Sequence, residues 1–243
     1  ISSNITSNDV RILVNSFKPL IDFKHNQYVT SVDIFKYFTV DFNPKLPNSK
    51  NNIPISIFGG TLYNRPFRCL FLAELHTRGL LSELEYSNVV IDPRNLEYNI
   101  HENLHYLSDN DKLKVVSCLD VLTENRTYDK NGVLTDSNIY KTGDELLIIP
   151  QLNNSIVSVA LETRYIQPSI TEKTYKLFRA GVIPLWHGPQ NVKEYLQSCG
   201  FKFPSLINYN FDSLDTNEDR LYALCDEIER LLTIPKELLV QAK

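Results

Sequence analysis

From Ile53 onward the chain alternates two kinds of hydrophobic pattern, and this alternation limits its fold more than any other feature. Three short, nearly continuous apolar runs, Ile53-Pro54-Ile55-Ser56-Ile57-Phe58, Ser155-Ile156-Val157-Ser158-Val159-Ala160-Leu161 and Val182-Ile183-Pro184-Leu185-Trp186, have strand length. Each is followed by a stretch with helical spacing. After the first come Phe67, Leu70, Phe71 and Leu75; after the second, Thr174, Leu177, Phe178 and Gly181. Strands that are apolar on both faces must be covered on both faces. Helical crossovers do this, so the pattern predicts an α/β fold: a Rossmann-type parallel sheet flanked by helices.

Turn chemistry sets the expected boundaries. The first strand is predicted over 53–58, ending at Gly59-Gly60. A loop through Tyr63, Asn64 and Arg65 leads to Pro66, well placed at the first position of a helix that Gly79 closes. A further strand is expected over 84–92. The polar stretch 96–150 predicts helices over 100–107 and 112–122. Helices are also predicted over 171–180 and 192–198. The last element expected is an amphipathic helix over 217–232, with Leu221, Leu224, Ile228, Leu231 and Leu232 on one face. The Pro- and Asn-rich stretch Asn43-Pro44-Lys45-Leu46-Pro47-Asn48-Ser49-Lys50-Asn51-Asn52 reads as a linker. It divides a short N-terminal partial lobe, 1–52, from the sheet lobe, 53–243.

Charge and composition then exclude several functions. With 25 Lys+Arg against 29 Asp+Glu, the 243-residue chain carries a net charge of -4 and has no bulk attraction for nucleic acid or anionic membrane. Any anion must be held by a local pocket. No apolar run approaches the ~20 residues of a membrane-spanning helix. Among only 8 glycines there is no G-x-G-x-x-G and no G-x-x-x-x-G-K-[ST]. The four cysteines form no C-x-x-C pair, which argues against a zinc site and for reduced, buried thiols in a cytoplasmic protein. The chain contains no Met, so Ile1 is expected not to be an initiator.

In open α/β sheets, ligands bind beyond the carboxyl ends of the strands, against helix N-termini. Two such places carry cations. One is the helix opening at Thr171-Glu172-Lys173, just after Leu161-Glu162. Ser169-x-x-Glu172 also matches a capping box, in which Glu172 serves only the helix. Lys173 fits that reading poorly, since a cation near a helix N-terminus opposes the macrodipole by ~0.3–1 kcal/mol, whereas a bound polyphosphate would reverse the sign. The other is the loop with Arg65 and Arg68 around Pro66, suited to bidentate phosphate contacts or, alternatively, to pairing with Glu74 or Glu83. His187, between a strand and Gly188-Pro189, points to the same edge and either touches ligand or caps a turn. Asp109-Asn110-Asp111 has a metal-binding D-x-D form but also the form of a helix cap. His101 and His105 have metal-ligand spacing on a helix but no third ligand nearby.

The stretch Leu161-Glu162-Thr163, Thr171-Glu172-Lys173 and Gly181-Val182-Ile183-Pro184-Leu185-Trp186-His187-Gly188 resembles the α-1,3-fucosyltransferase motif, F-E-N, T-E-K, then G-x-x-P-x-x-x-G. It is also similar to phage- and virus-encoded glycosyltransferase-like sequences, through Thr171-Glu172-Lys173-Thr174 and Gly200-Phe201. Thr163 replaces the usual Asn. The resemblance implies a GT-B-like architecture in which the sheet lobe holds a nucleotide diphosphate-sugar. Glu172 would bind ribose hydroxyls, and Lys173 with Arg68 or Arg65 would neutralise the diphosphate; Glu162, Thr171 and His187 complete the expected donor set. Sugar would pass to a glycan or other hydroxyl acceptor, with inversion and without metal or other cofactor. An inverting transfer needs a carboxylate base; in the family it comes from the N-terminal lobe, where Asp33 and Asp41 are the candidates. The alternative is a non-catalytic nucleotide-sugar- or glycan-binding module, or a virion structural module.

Overall fold

Four parallel strands, in the order β2-β1-β5-β6, form the sheet on which the rest of the chain is arranged. The computed structural model describes residues 53–62, 65–89, 104–124, 127–128, 134–135, 150–162, 171–198 and 200–243. The expected N-terminal lobe, with Asp33 and Asp41, lies outside them, as do Cys199 and His101. Strand β1 (Ile53–Thr61) is followed by helix α1 (Pro66–Thr77) and strand β2 (Glu85–Val89). Helices α2 (Asp109–Ser117) and α3 (Leu119–Thr123), a two-residue hairpin pair β3 (Thr127–Tyr128) and β4 (Leu134–Thr135), and helix α4 (Pro150–Asn154) come next. Strand β5 (Ser155–Leu161), helix α5 (Glu172–Arg179), strand β6 (Ile183–His187) and helix α6 (Val192–Ser198) follow. Two helices, α7 (Asn217–Leu232) and α8 (Lys236–Ala242), close the chain.

The register explains why the strand sequences are apolar throughout. Ile57 lies level with Tyr86 on one side and Val159 on the other, and Val159 with Leu185; all four are buried. One residue away, Ser56, Ser158 and Pro184 share the opposite face. There the Ser56 hydroxyl donates to the Ser158 hydroxyl at 2.9 Å, so two buried polar groups satisfy one another inside the sheet. The crossovers β1–α1–β2 and β5–α5–β6 run in opposite directions across the sheet, so right-handed connections put α1 and α5 on opposite faces. Helix α7 packs on α1, while α5 packs on β5 and β6. On the α5 face, Trp186 stacks on Tyr209 (ring centroids 5.4 Å apart) and meets Phe203 and Phe211 edge-on.

Most helix ends follow from local chemistry. Pro66 occupies the start of α1. At its other end Gly79 has φ +74, and the Leu80 N–H reaches back to the Leu75 carbonyl at 2.9 Å. Gly181, φ +64, ends α5 in the same way, with the Val182 N–H on the Leu177 carbonyl. A second layer of charge holds α1, α2 and α7 together. Glu74, 6% exposed, accepts from Arg78 Nε at 2.6 Å and from Lys114, and Arg78 also reaches Asp226 and Glu229 on α7. Lys114 donates to the Tyr222 hydroxyl at 3.1 Å, and that hydroxyl donates to Asp111.

Several sequence expectations need correcting. Strand β1 does not stop at Gly59-Gly60 but runs through them to Thr61, with an irregular register against β2 between Phe58 and Thr61. The single helix expected over 112–122 is two. The Ser117 hydroxyl bonds the Lys114 carbonyl at 2.8 Å, competing with the helical ladder, and Cys118 breaks it at φ -113, ψ 17. Where a helix was expected over 100–107, the described part is a 3-10 turn, Leu104–Tyr106, with His105 exposed against the Tyr106 ring. Helix α8 was not expected at all. It has seven residues, and Leu239 is buried while Leu238 and Val240 remain exposed, so it shows little apolar periodicity. Among the described residues no helix is long and apolar enough to cross a membrane.

Candidate functional site

The strand order has a switch point. The chain leaves β1 toward β2 and leaves β5 toward β6, so the strand order reverses between the carboxyl ends of β1 and β5, the crevice position at which open α/β sheets take ligands. Helix α1 begins beside the first of these ends and α5 beside the second. Topology therefore sets the starts of α1 and α5, which carry Arg68 and Lys173, beside neighbouring strand ends.

Arg68 is the centre of this arrangement. It sits in the first turn of α1 and is 1% exposed, and its Nη2 donates to the carbonyl of Leu161, the last residue of β5, at 2.8 Å. An arginine from one side of the switch point thus bridges to the other. Arg65, half-buried, stands at the N-cap of α1. A guanidinium has no acceptor to offer the free N–H groups of a helix start, so this residue cannot cap the turn it begins. No acidic residue lies in that first turn. Pairing of either arginine with Glu74 does not occur, because that carboxylate is held by Arg78 and Lys114.

The other side of the crevice is organised by Glu162. Its backbone N–H donates to the His187 carbonyl at 2.9 Å, tying the end of β5 to the end of β6. Its carboxylate, 1% exposed, accepts from the Thr171 N–H at 3.1 Å, from the Thr174 hydroxyl at 2.6 Å and from the Thr171 hydroxyl. The capping expectation is corrected here. Helix α5 starts at Glu172, so Thr171 rather than Ser169 is its N-cap, and the tethering carboxylate is Glu162. Lys173, half-buried, donates its backbone N–H to the Thr171 hydroxyl at 3.4 Å. The Glu172 side chain lies outside the described residues.

His187 serves the turn. It is 1% exposed, packs against the Phe67 ring at 5.8 Å, and its Nε2 lies 2.9 Å from the carbonyl of Asn217. That carbonyl can only accept, so Nε2 carries the proton. Burial, reinforced by the neighbouring Arg220, lowers the ring's pKa to about 4 despite this bond. At neutral pH His187 is an uncharged link between β6 and α7 and offers no positive charge to an anion.

Arg220 and Asp212 are also engaged. Arg220 donates from Nη1 to the carbonyls of Leu214 (2.7 Å) and Asp215 (3.0 Å). Asp212 accepts from Trp186 Nε1 and from the Lys193 N–H, both at 2.7 Å, which places a carboxylate at the start of α6. Burial raises its pKa, against the opposing hydrogen bonds. Two of the helix starts at this sheet edge, α5 and α6, are therefore met by the protein's own carboxylates, whereas α1 begins with Arg65 and Arg68.

The remaining candidates separate. Asp111 is buried in a cap, where Ser108 Oγ accepts its N–H and donates to its carboxylate at 2.8 Å; Asp109 is exposed and pairs with Lys112 at 2.7 Å. They do not form a joint metal site, and among the described residues no group of three His, Cys, Asp or Glu side chains could hold a metal ion. Cys69, Cys118 and Cys225 are buried free thiols, and burial pushes the Cys69 pKa up to about 12.

Two residues that matter to the crevice gave no sign in the sequence of what they do there. Thr174 stood only as a packing and motif position, and Gly188 only as a turn and motif glycine, neither with any tie to Glu162. A Cβ at Gly188 would lie 3.0 Å from both Cβ and Cγ of Glu162, so the glycine makes room for that side chain. The contact joins residues 26 positions apart, beyond the reach of any local spacing rule. No family model, curated protein sequence or solved structure matches this chain.

Proposed function

We propose that this chain is a GT-B-like glycosyltransferase whose donor, a nucleotide diphosphate-sugar, binds at the crevice between β1 and β5. The observation that carries the reading is Arg68, a buried guanidinium held at the switch point by its bond to the Leu161 carbonyl. In glycosyl transfer, negative charge builds on the departing diphosphate while the sugar becomes oxocarbenium-like. Cations fixed in advance lower that barrier most, because they do not reorganise during the reaction. On this reading Arg68 and Arg65 face the diphosphate together with the N–H groups that open α1. Lys173 adds a second cation from α5, and Glu172 takes the ribose hydroxyls. Transfer is metal-independent and inverting, to a glycan or other hydroxyl acceptor, with Asp33 or Asp41 as the base.

Calorimetry with GDP- and UDP-sugars, in the presence of EDTA, tests the donor half. Replacing Arg68 or Lys173 with Ala is expected to cost about 1.5–3 kcal/mol of affinity each, roughly 10- to 150-fold. Unchanged affinity in both variants, with the fold intact, would remove the assignment.

A second reading has its own support. Arg68 and Glu162 are already bonded to protein groups, as in a module that binds without turnover. Release of free nucleotide over a panel of acceptors separates the two: donor binding with no release favours the binding module.

A further inference from the structure

We propose that Glu162 is the positioning residue of this site: its buried carboxylate, seated against Gly188, fixes the first turn of α5, and with it Lys173, for a ligand bound at the crevice. The inference rests on the donor-site reading above and reassigns Glu162 from direct ligand contact to action through α5.

The geometry is that of a latch. Glu162 directly follows the last residue of β5, and its backbone is held on both sides: its N–H by the His187 carbonyl, the preceding carbonyl by Arg68. A side chain leaving so fixed a point has little freedom. Its carboxylate then takes three hydrogen bonds from two residues of α5's start, filling three of its roughly four acceptor positions. Bonds to a charged acceptor in a buried setting are among the stronger ones a protein makes. An eight-residue helix has little stability of its own, and its first turn frays first, so an external tether decides where that turn sits. Gly188 is the seat of the latch, since a methyl there would press on Cβ and Cγ of Glu162 at 3.0 Å. A carboxylate at this helix start also offsets the half-positive helix end, leaving Lys173 as the group that α5 contributes toward an anion.

The test compares wild-type protein with E162A, E162Q and G188A by amide hydrogen exchange and by calorimetry with GDP and UDP as probes. In E162A, exchange in residues 171–176 should speed up by about tenfold, with the sheet unaffected, and affinity for the bound nucleotide should fall by about tenfold. E162Q keeps an oxygen for the Thr171 N–H and the Thr174 hydroxyl, and the Thr171 hydroxyl can turn to accept, so both readouts should stay within about threefold of wild type. G188A should follow E162A. Exchange in 171–176 that E162A leaves unchanged overturns the proposal. So does nucleotide affinity that survives in a variant whose first turn has loosened. If wild-type protein binds neither nucleotide, the donor-site reading has failed by itself, and the exchange data alone decide whether Glu162 tethers α5. Should E162A not fold, T174V and G188A make the same comparison.

Discussion

Acidification should unlock the joint between β6 and α7, and His187 is where it happens. The ring is 1% exposed, its Nε2–H is spent on the Asn217 carbonyl, and burial lowers its pKa from 6.5 to about 4. The unfolded chain therefore takes up a proton on this residue well before the folded one. The stability contributed by the neutral, buried imidazole is complete above 6.5 and is lost progressively as pH falls toward 4. Each pH unit within that window costs about 1.4 kcal/mol, so about 2 kcal/mol is gone near pH 5 and about 3 kcal/mol below pH 4. His187→Gln keeps an amide N–H to offer the Asn217 carbonyl and does not titrate. Urea unfolding of both proteins, repeated from about pH 7.5 to about pH 4.5, isolates the residue. Asp212, whose burial-raised pKa acts in the opposite sense, and the other carboxylates contribute equally to both curves and cancel in the difference. The gap between wild type and variant should shift by about 2 kcal/mol on going from neutral pH to about pH 5, in the variant's favour. Parallel curves, within about 0.5 kcal/mol across the window, would refute both the burial argument and the neutral tautomer drawn from it.

Two stability predictions accompany it. Gly79→Ala should destabilise by about 1 kcal/mol through backbone conformation alone, because φ is +74 and a Cβ meets nothing within 4 Å; a neutral result in thermal unfolding would show that α1's end adapts. Glu74→Ala leaves Arg78 and Lys114 without their shared acceptor between α1, α2 and α7. Both cations keep other partners and some solvent contact, so the cost should be about 2–3 kcal/mol in urea unfolding, and a loss below about 0.5 kcal/mol would count against the network as a clamp.

How much was legible beforehand depended on the range of the interaction that decides each feature. Helix α6 and strand β5 occur over the residues expected, and α1 closes at Gly79 and α5 at Gly181, because apolar period, Pro66 and the αL glycines act within one or two turns. The break at Cys118 was missed because one serine hydroxyl and the Cys118 thiol's bond to the Ala73 carbonyl outweigh a continuous helical pattern. Helix α8 was missed because its single buried leucine makes no stripe. At the crevice, the charged residues stood out by being in the wrong places for a helix dipole, Arg65 and Arg68 above all. What they do there was hidden. The Leu161 carbonyl lies 93 positions from Arg68, and the carboxylate that tethers α5 belongs to Glu162 rather than Glu172.

The amino-acid order alone determined that this is a parallel α/β chain. Strands apolar on both sides have no other way to hide both faces, and each element's ends are written in adjacent residues. Only the tertiary structure decided which residues share the crevice, which acid is the tether and which histidine is neutral. Those outcomes depend on strand order and on burial, and both arise from contacts between residues far apart in the chain.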